Sequence, residues 1–131
     1  MNSLKNERGG SLIEFVLIAW VLFLVLFGII EFGLILYNQA VITNASREGA
    51  RYGIVSRSPR YTSPEIVTYV SNAYADKPIT FGTRAFNVTT PNFPPPIFGQ
   101  DLTVEVTWQY NFLLLPSFTI GPLTNPLNLR A

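Results

Sequence analysis

Three spacings of apolar residues follow one another along the chain. From Phe15 to Ile30 no charged residue interrupts an apolar run, which continues past Glu31 to Tyr37. As a helix, Phe15 to Tyr37 would measure roughly 34 Å at 1.5 Å per residue. A bilayer core is about 30 Å thick, so the segment is long enough to span it with slight tilt. Lipid offers backbone groups no partners, which favours helix despite the many Val, Ile and Phe residues. A cleaved secretory signal would show an apolar region of about 7–15 residues followed by a small-residue cleavage site. This run is longer, and Thr43-Asn44-Ala45, the nearest imitation of such a site, lies well beyond it. The pattern therefore predicts a retained membrane helix.

Helical spacing continues past the apolar run. Val41, Ile42, Ala45, Gly49 and Tyr52 fall on one stripe, with Asn44, Arg47, Glu48 and Arg51 mostly off it. One helix is predicted from about Ser11 to about Val55, closed by Gly53 and Ser58-Pro59. Ser63-Pro64-Glu65 reads as a second helix start, with Ser63 as the capping hydroxyl and an acid in the first turn. Ile66, Val67, Val70, Ala73 and Tyr74 carry that helix to Asp76-Lys77-Pro78.

Beyond it the period changes to two. Phe86 and Val88 alternate with Ala85, Asn87 and Thr89. After a loop from Pro91 to Gln100, Leu102, Val104, Val106, Trp108 and Tyr110 alternate with polar residues in the clearest strand of the chain. Leu127 and Leu129 suggest a last short strand. The fold class is α+β: a long N-terminal helix, one further helix and about three antiparallel strands. The organisation is a leader over residues 1–9, a transmembrane and extended helix over 10–56, and a small exported domain over 57–131.

Composition narrows the chemistry. The 131 residues contain no Cys and no His, and the net charge is +1. Thiol chemistry, His-dependent triads and zinc sites of the usual kind are excluded. A balanced charge gives no electrostatic case for nucleic acid. No nucleophile–base pair, metal set or phosphate loop is present, so the expectation is a protein that is not an enzyme, needs no cofactor and takes no small-molecule substrate. Asp101 and Glu105, on one strand face, are candidate cation ligands or paired carboxylates. Their simpler reading is edge-strand solubility. Trp20 and Trp108 read as packing residues.

The informative stretch is Arg8-Gly9-Gly10-Ser11-Leu12-Ile13-Glu14-Phe15. A basic polar leader ends in glycine, and a carboxylate follows at the start of the apolar helix. A carboxylate inside a membrane helix is costly and usually functional, with a nearby partner. A plainer role for Glu14 is to sit at the interface and favour the positive helix N-terminus. Glu31 is either a polar contact to another membrane helix or a carboxylate reaching water at the far headgroup region, the reading its position favours. Arg47, Glu48 and Arg51 are either an interface salt-bridge cluster or a solvated helix face, Glu48 being spaced to pair with Arg51.

The leader and Glu14 resemble the signal of type IV pilins. The resemblance implies a prepilin peptidase that cuts between Gly9 and Gly10, so that Glu14 becomes the fifth residue of the mature chain. Three runs, Glu14-Phe15, Phe27 to Gly33, and Asn44-Ala45-Ser46-Arg47-Glu48-Gly49-Ala50-Arg51-Tyr52, together resemble the TadE-like family of the tight-adherence (Flp, type IVc) pilus system. That family implies a minor pilin or pseudopilin in the bacterial inner membrane. Its partners would be the peptidase, other pilin subunits and the assembly platform, and Glu14 would be the assembly residue. The family places the N-terminus in the cytoplasm. Lys5 and Arg8 against Arg47, Arg51, Arg57 and Arg60 do not favour that orientation by count, although the far charges begin about ten residues beyond Tyr37. The alternative function is a membrane-anchored periplasmic binding or adhesion module outside any filament, which has no need of Gly9 or Glu14.

Overall fold

The structure, a computed structural model, describes residues 4–93, 101–113 and 126–131. The described elements are α1 (Leu4–Gly53), α2 (Ser63–Tyr74), β1 (Phe86–Thr89), β2 (Glu105–Tyr110) and β3 (Leu127–Arg130). The α+β expectation holds. The residues group into two compact units, Met1–Gly33 and Leu34–Ala131.

The first unit is helical where described. It carries the long apolar run, and α1 from Gly9 is long and apolar enough to cross a membrane, with none of its apolar window buried. Among the described residues it is the single helix of that kind. Leu12, Phe15, Trp20 and Phe23 all stand exposed. Trp20 is therefore not a packing residue within the chain. The helix starts at Leu4, earlier than Ser11, and continues without a break at Gly9-Gly10. Two consecutive glycines lower helix propensity by about 1 kcal/mol each, which the flanking helix formers outweigh here.

The second unit is built on the last turns of α1. Asn38, Ile42, Ala45 and Gly49 form its buried stripe, and α2 and the sheet pack over Ile42 and Ala45. The small residues in the stripe let neighbours come close. A Cβ on Gly49 would lie 2.7 Å from Val70 Cγ2 and 2.9 Å from Val104 Cγ1. One on Gly53 would overlap Leu102 Cδ2 and Ile66 Cδ1.

α2 is capped one residue earlier than the sequence suggests. Thr62 is the N-cap, and both its N–H (2.7 Å) and its hydroxyl (2.9 Å) donate to Glu65 Oε2. Ser63 instead shares a 2.6 Å hydrogen bond with Thr90 Oγ1, which ties α2 to the end of β1. Ile66 and Val70 are the buried face of α2, as its spacing predicts.

The sheet is antiparallel with order β1-β2-β3. Val88 pairs with Val106, and Trp108 with Leu129. Val104, Val106, Trp108 and Tyr110 are buried, the face that the alternation predicts. β2 is the central strand, so edge protection is not the reason for Glu105. Its carboxylate pairs with Arg130 of β3 at 2.8 Å. The loop expected from Pro91 to Gln100 is described only to Phe93. Its prolines 94–96 and the end of the apolar stretch from Phe112 to Leu115 lie outside the described residues.

Candidate functional site

Gly9 and Gly10 lie in the helical N-terminal stretch, both exposed, with nothing within 4 Å of an added Cβ. Glu14 follows on the same helix and is also exposed. A spacing of i to i+4 puts the Gly10 nitrogen and the Glu14 side chain one turn apart. A cut before Gly10 would leave an α-ammonium there. The two groups then stand close enough to neutralise each other, or to exchange partners with the same pair on a neighbouring chain. Neither is engaged with another part of this chain in the hydrogen bonds and ion pairs of the described residues.

Glu31 departs from the favoured reading. It is 4% exposed, so its carboxylate does not reach out to water.

The run Asn44 to Tyr52 belongs to the second unit, and its geometry assigns most of its residues a structural task. Ala45 and Gly49 face the core. Ser46 Oγ donates to Val104 O at 2.8 Å. Glu48 Oε1 accepts from the Tyr69 hydroxyl at 3.2 Å. That hydrogen bond, followed by desolvation, holds the Tyr69 pKa above its usual value. Tyr52 stacks on Tyr69 at 4.0 Å and meets Tyr61 at 4.1 Å between ring centroids. A hydrogen bond to Tyr61 raises the Tyr52 pKa as well.

The Glu48–Arg51 pair that their spacing permits does not form. No ion pair involves Arg47, Glu48 or Arg51 among the described residues, because Glu48 is turned to α2 and takes a phenol donor instead. Arg47 and Arg51 are exposed. With Lys77 they line an open groove of ≈ 490 Å³, so three cations border a surface that carries one carboxylate, Glu48.

Of the candidate pair Asp101 and Glu105, one carboxylate has another partner. Glu105 is taken by Arg130, and the Asp101 main-chain oxygen accepts from Asn92 Nδ2 at 2.8 Å. Asn92 Oδ1 in turn accepts from Thr103 N–H, so this segment is closed by an asparagine bridge. No group of three metal-ligating side chains occurs among the described residues.

One residue the sequence analysis passed over is central. Asn38 is fully buried, and its amide both donates to Ile79 O and accepts from Ile79 N–H, each at 2.7 Å. The signal was available, since an amide directly after an apolar run is a poor helix residue unless its side chain has partners.

No curated protein and no solved structure matches the chain. Residues 9–51 match the family model described as TadE-like protein. This is the segment, from the glycine pair to the Arg47–Arg51 run, that carries the sequence resemblance, so this third of the chain is similar to TadE-like proteins.

Proposed function

We propose that the protein is a minor pilin or pseudopilin of a Tad/Flp-type pilus, a structural subunit and not an enzyme. In this reading a prepilin peptidase cuts between Gly9 and Gly10. The mature chain then rests in the inner membrane, N-terminus cytoplasmic and the α+β unit periplasmic, until it joins other pilin subunits on the assembly platform. The observation that supports this best is the position of Glu14. It is an exposed carboxylate at the start of an apolar helix, one turn from the amine that cleavage would create, inside the TadE-like segment. Arg47, Arg51 and Lys77 at the groove offer a second surface for an acidic neighbour.

Coexpression with the peptidase, followed by mass spectrometry of the N-terminus, tests the reading. The expected mature chain begins at Gly10. A chain that begins at Ser46, after Ala45, would identify an ordinary signal peptide and overturn the pilin reading. An uncut chain that stays in the membrane would favour the anchored binding module.

A further inference from the structure

At one place in the second unit, hydrogen bonds tie together three segments that each carry exposed apolar side chains. Tyr37 and Asn38 of α1 hold the loop after α2 there. The Tyr37 hydroxyl donates to Lys77 O at 3.4 Å, and Asn38 grips Ile79. The next turn of that loop is tied to the chain after β2. Asn111 N–H donates to Thr80 Oγ1 at 3.0 Å, and its Nδ2 to Thr83 O at 3.3 Å. These bonds place Ile79 beside Asn38, next in sequence to Tyr37, and Phe81 and Leu113 each lie within two residues of the Thr80–Asn111 tie; Ile79, Phe81 and Leu113 are 43%, 49% and 47% exposed. Isolated exposed apolar residues are ordinary, but a contiguous group marks a surface that meets something.

Charge says what it meets. Asp76 and Arg84 pair with each other at 3.6 Å, and Lys77 Nζ lies 4.2 Å from the Tyr74 ring centroid. The loop is therefore close to neutral, with Lys77 in no ion pair among the described residues and beside two tyrosines. Tyrosine and lysine around apolar tips are the composition of a bilayer interface, where rings sit at headgroup level and lysine reaches phosphate. Connectivity supplies the second argument. The apolar run read as the membrane span ends at Tyr37, and Tyr37 is itself one of the residues tied together here.

We infer that the Lys77–Arg84 loop is a membrane-interface foot: before assembly, Ile79 and Phe81 dip into the phospholipid boundary beside Tyr37 and hold the folded unit on the bilayer surface. The occupant is lipid, continuous with the lipid around the helix. The inference rests on the membrane span and not on leader cleavage or pilus membership.

The absence of cysteine makes a direct test practical. Full-length Ile79→Cys, Phe81→Cys and, as a control on the outer face of α2, Thr68→Cys are spin-labelled and reconstituted in vesicles of mixed zwitterionic and anionic phospholipid. Collision with oxygen, which concentrates in lipid, is compared with collision with a water-soluble nickel chelate. The expected result is oxygen dominance at 79 and 81 and chelate dominance at 68. Chelate dominance at all three positions would overturn the inference, with the unit standing clear of the bilayer. Exclusion of both reagents at 79 and 81 would also overturn it, because protein and not lipid would then cover the loop. A second measurement, quenching of fluorophores at the same positions by brominated acyl chains, separates a true aqueous position from a locally unfolded loop. An unfolded loop would lose the wild-type circular dichroism of the unit, whereas an aqueous loop would keep it. A label at 79 or 81 that is not quenched in a folded unit rejects the foot.

Discussion

The amide of Asn38 closes a two-point bridge on the backbone of Ile79, donating to its carbonyl and accepting from its N–H at 2.7 Å each. A side chain of the long helix thus completes the hydrogen bonding of a loop residue 41 positions away. Neither backbone group has a strand or helix partner, so the bridge takes the place of secondary structure at this point. Asn38→Ala removes both bonds at once. Leaving a buried polar group unsatisfied costs about 1–3 kcal/mol, and the half-exposed Ile79 lets water recover part of that. The expected result is faster hydrogen exchange at the Ile79 amide and a lower unfolding temperature. Asn38→Asp keeps the acceptor and loses the donor, so it should slow the amide again without restoring full stability. Unchanged exchange at Ile79 in Asn38→Ala would show that the loop is held by its other contacts.

Gly49 separates two opposing effects. An alanine there gains about 1 kcal/mol of helix propensity, but its Cβ would sit 2.7 Å from Val70 Cγ2 and 2.9 Å from Val104 Cγ1. Both neighbours are β-branched and stiff at χ1, so they cannot swing aside. Overpacking of this kind typically costs about 1–3 kcal/mol, so Gly49→Ala should lower the unfolding temperature. Gly28→Ala, where an added Cβ meets nothing within 4 Å to offset the gain in helix propensity, should not lower it. Thermal unfolding in detergent, followed by the fluorescence of the buried Trp108, makes the comparison. Equal midpoints for both variants would mean that the α1–α2 approach has room to spare.

Glu65 gives the unit a pH dependence of known sign. The backbone N–H of Thr62 first, and its hydroxyl second, hold the Glu65 carboxyl below its usual pKa. A depressed pKa means that the folded state favours the carboxylate. The stabilisation is complete above the unfolded Glu value and is lost as pH falls through the folded one. Glu65→Gln has no proton to take up there. The melting temperature of the wild type should exceed that of the variant at neutral pH, and the gap should close on acidification through the carboxylate range. A constant gap would mean that the hydrogen bonds matter and the charge does not.

Periodicity made most of the fold legible. The alternation from Leu102 to Tyr110 named the buried face of β2, and Ile66 and Val70 named that of α2, because each element presents one face to a single core. The errors fall where a polar side chain had two plausible partners. Glu48 is spaced for Arg51 on its own helix but bonds Tyr69 on another. Ser63 looked like the cap, yet Thr62 is the cap and Ser63 is spent on Thr90. Glu105 pairs across the sheet with Arg130. Such choices depend on which elements become neighbours, and local spacing does not carry that information. The TadE-like run was visible as a motif, but its division of labour was not. Gly49 and Ala45 serve close packing, while Arg47 and Arg51 are left on the surface.

Glu14 carries the sharpest prediction about function. Under the proposed pilin function, Glu14→Ala should leave membrane insertion and leader processing largely intact, because removal of a carboxylate makes the helix more apolar and the proposed scissile bond lies at Gly9. The loss should appear when subunits associate and the Gly10 ammonium enters an apolar environment without its counter-charge. An unpaired buried charge costs roughly 3–5 kcal/mol, which lowers an association constant by about a hundredfold or more. Glu14→Gln keeps a hydrogen-bond acceptor without the charge, so it should be nearly as damaging if charge pairing is the reason. Membrane fractionation, leader processing and crosslinking to partner pilins, run side by side on the wild type and both variants, separate these steps. Failure of insertion in Glu14→Ala would move the role of the residue from assembly to targeting. Normal crosslinking and normal piliation in both variants would reduce Glu14 to an interfacial residue that merely favours the helix N-terminus.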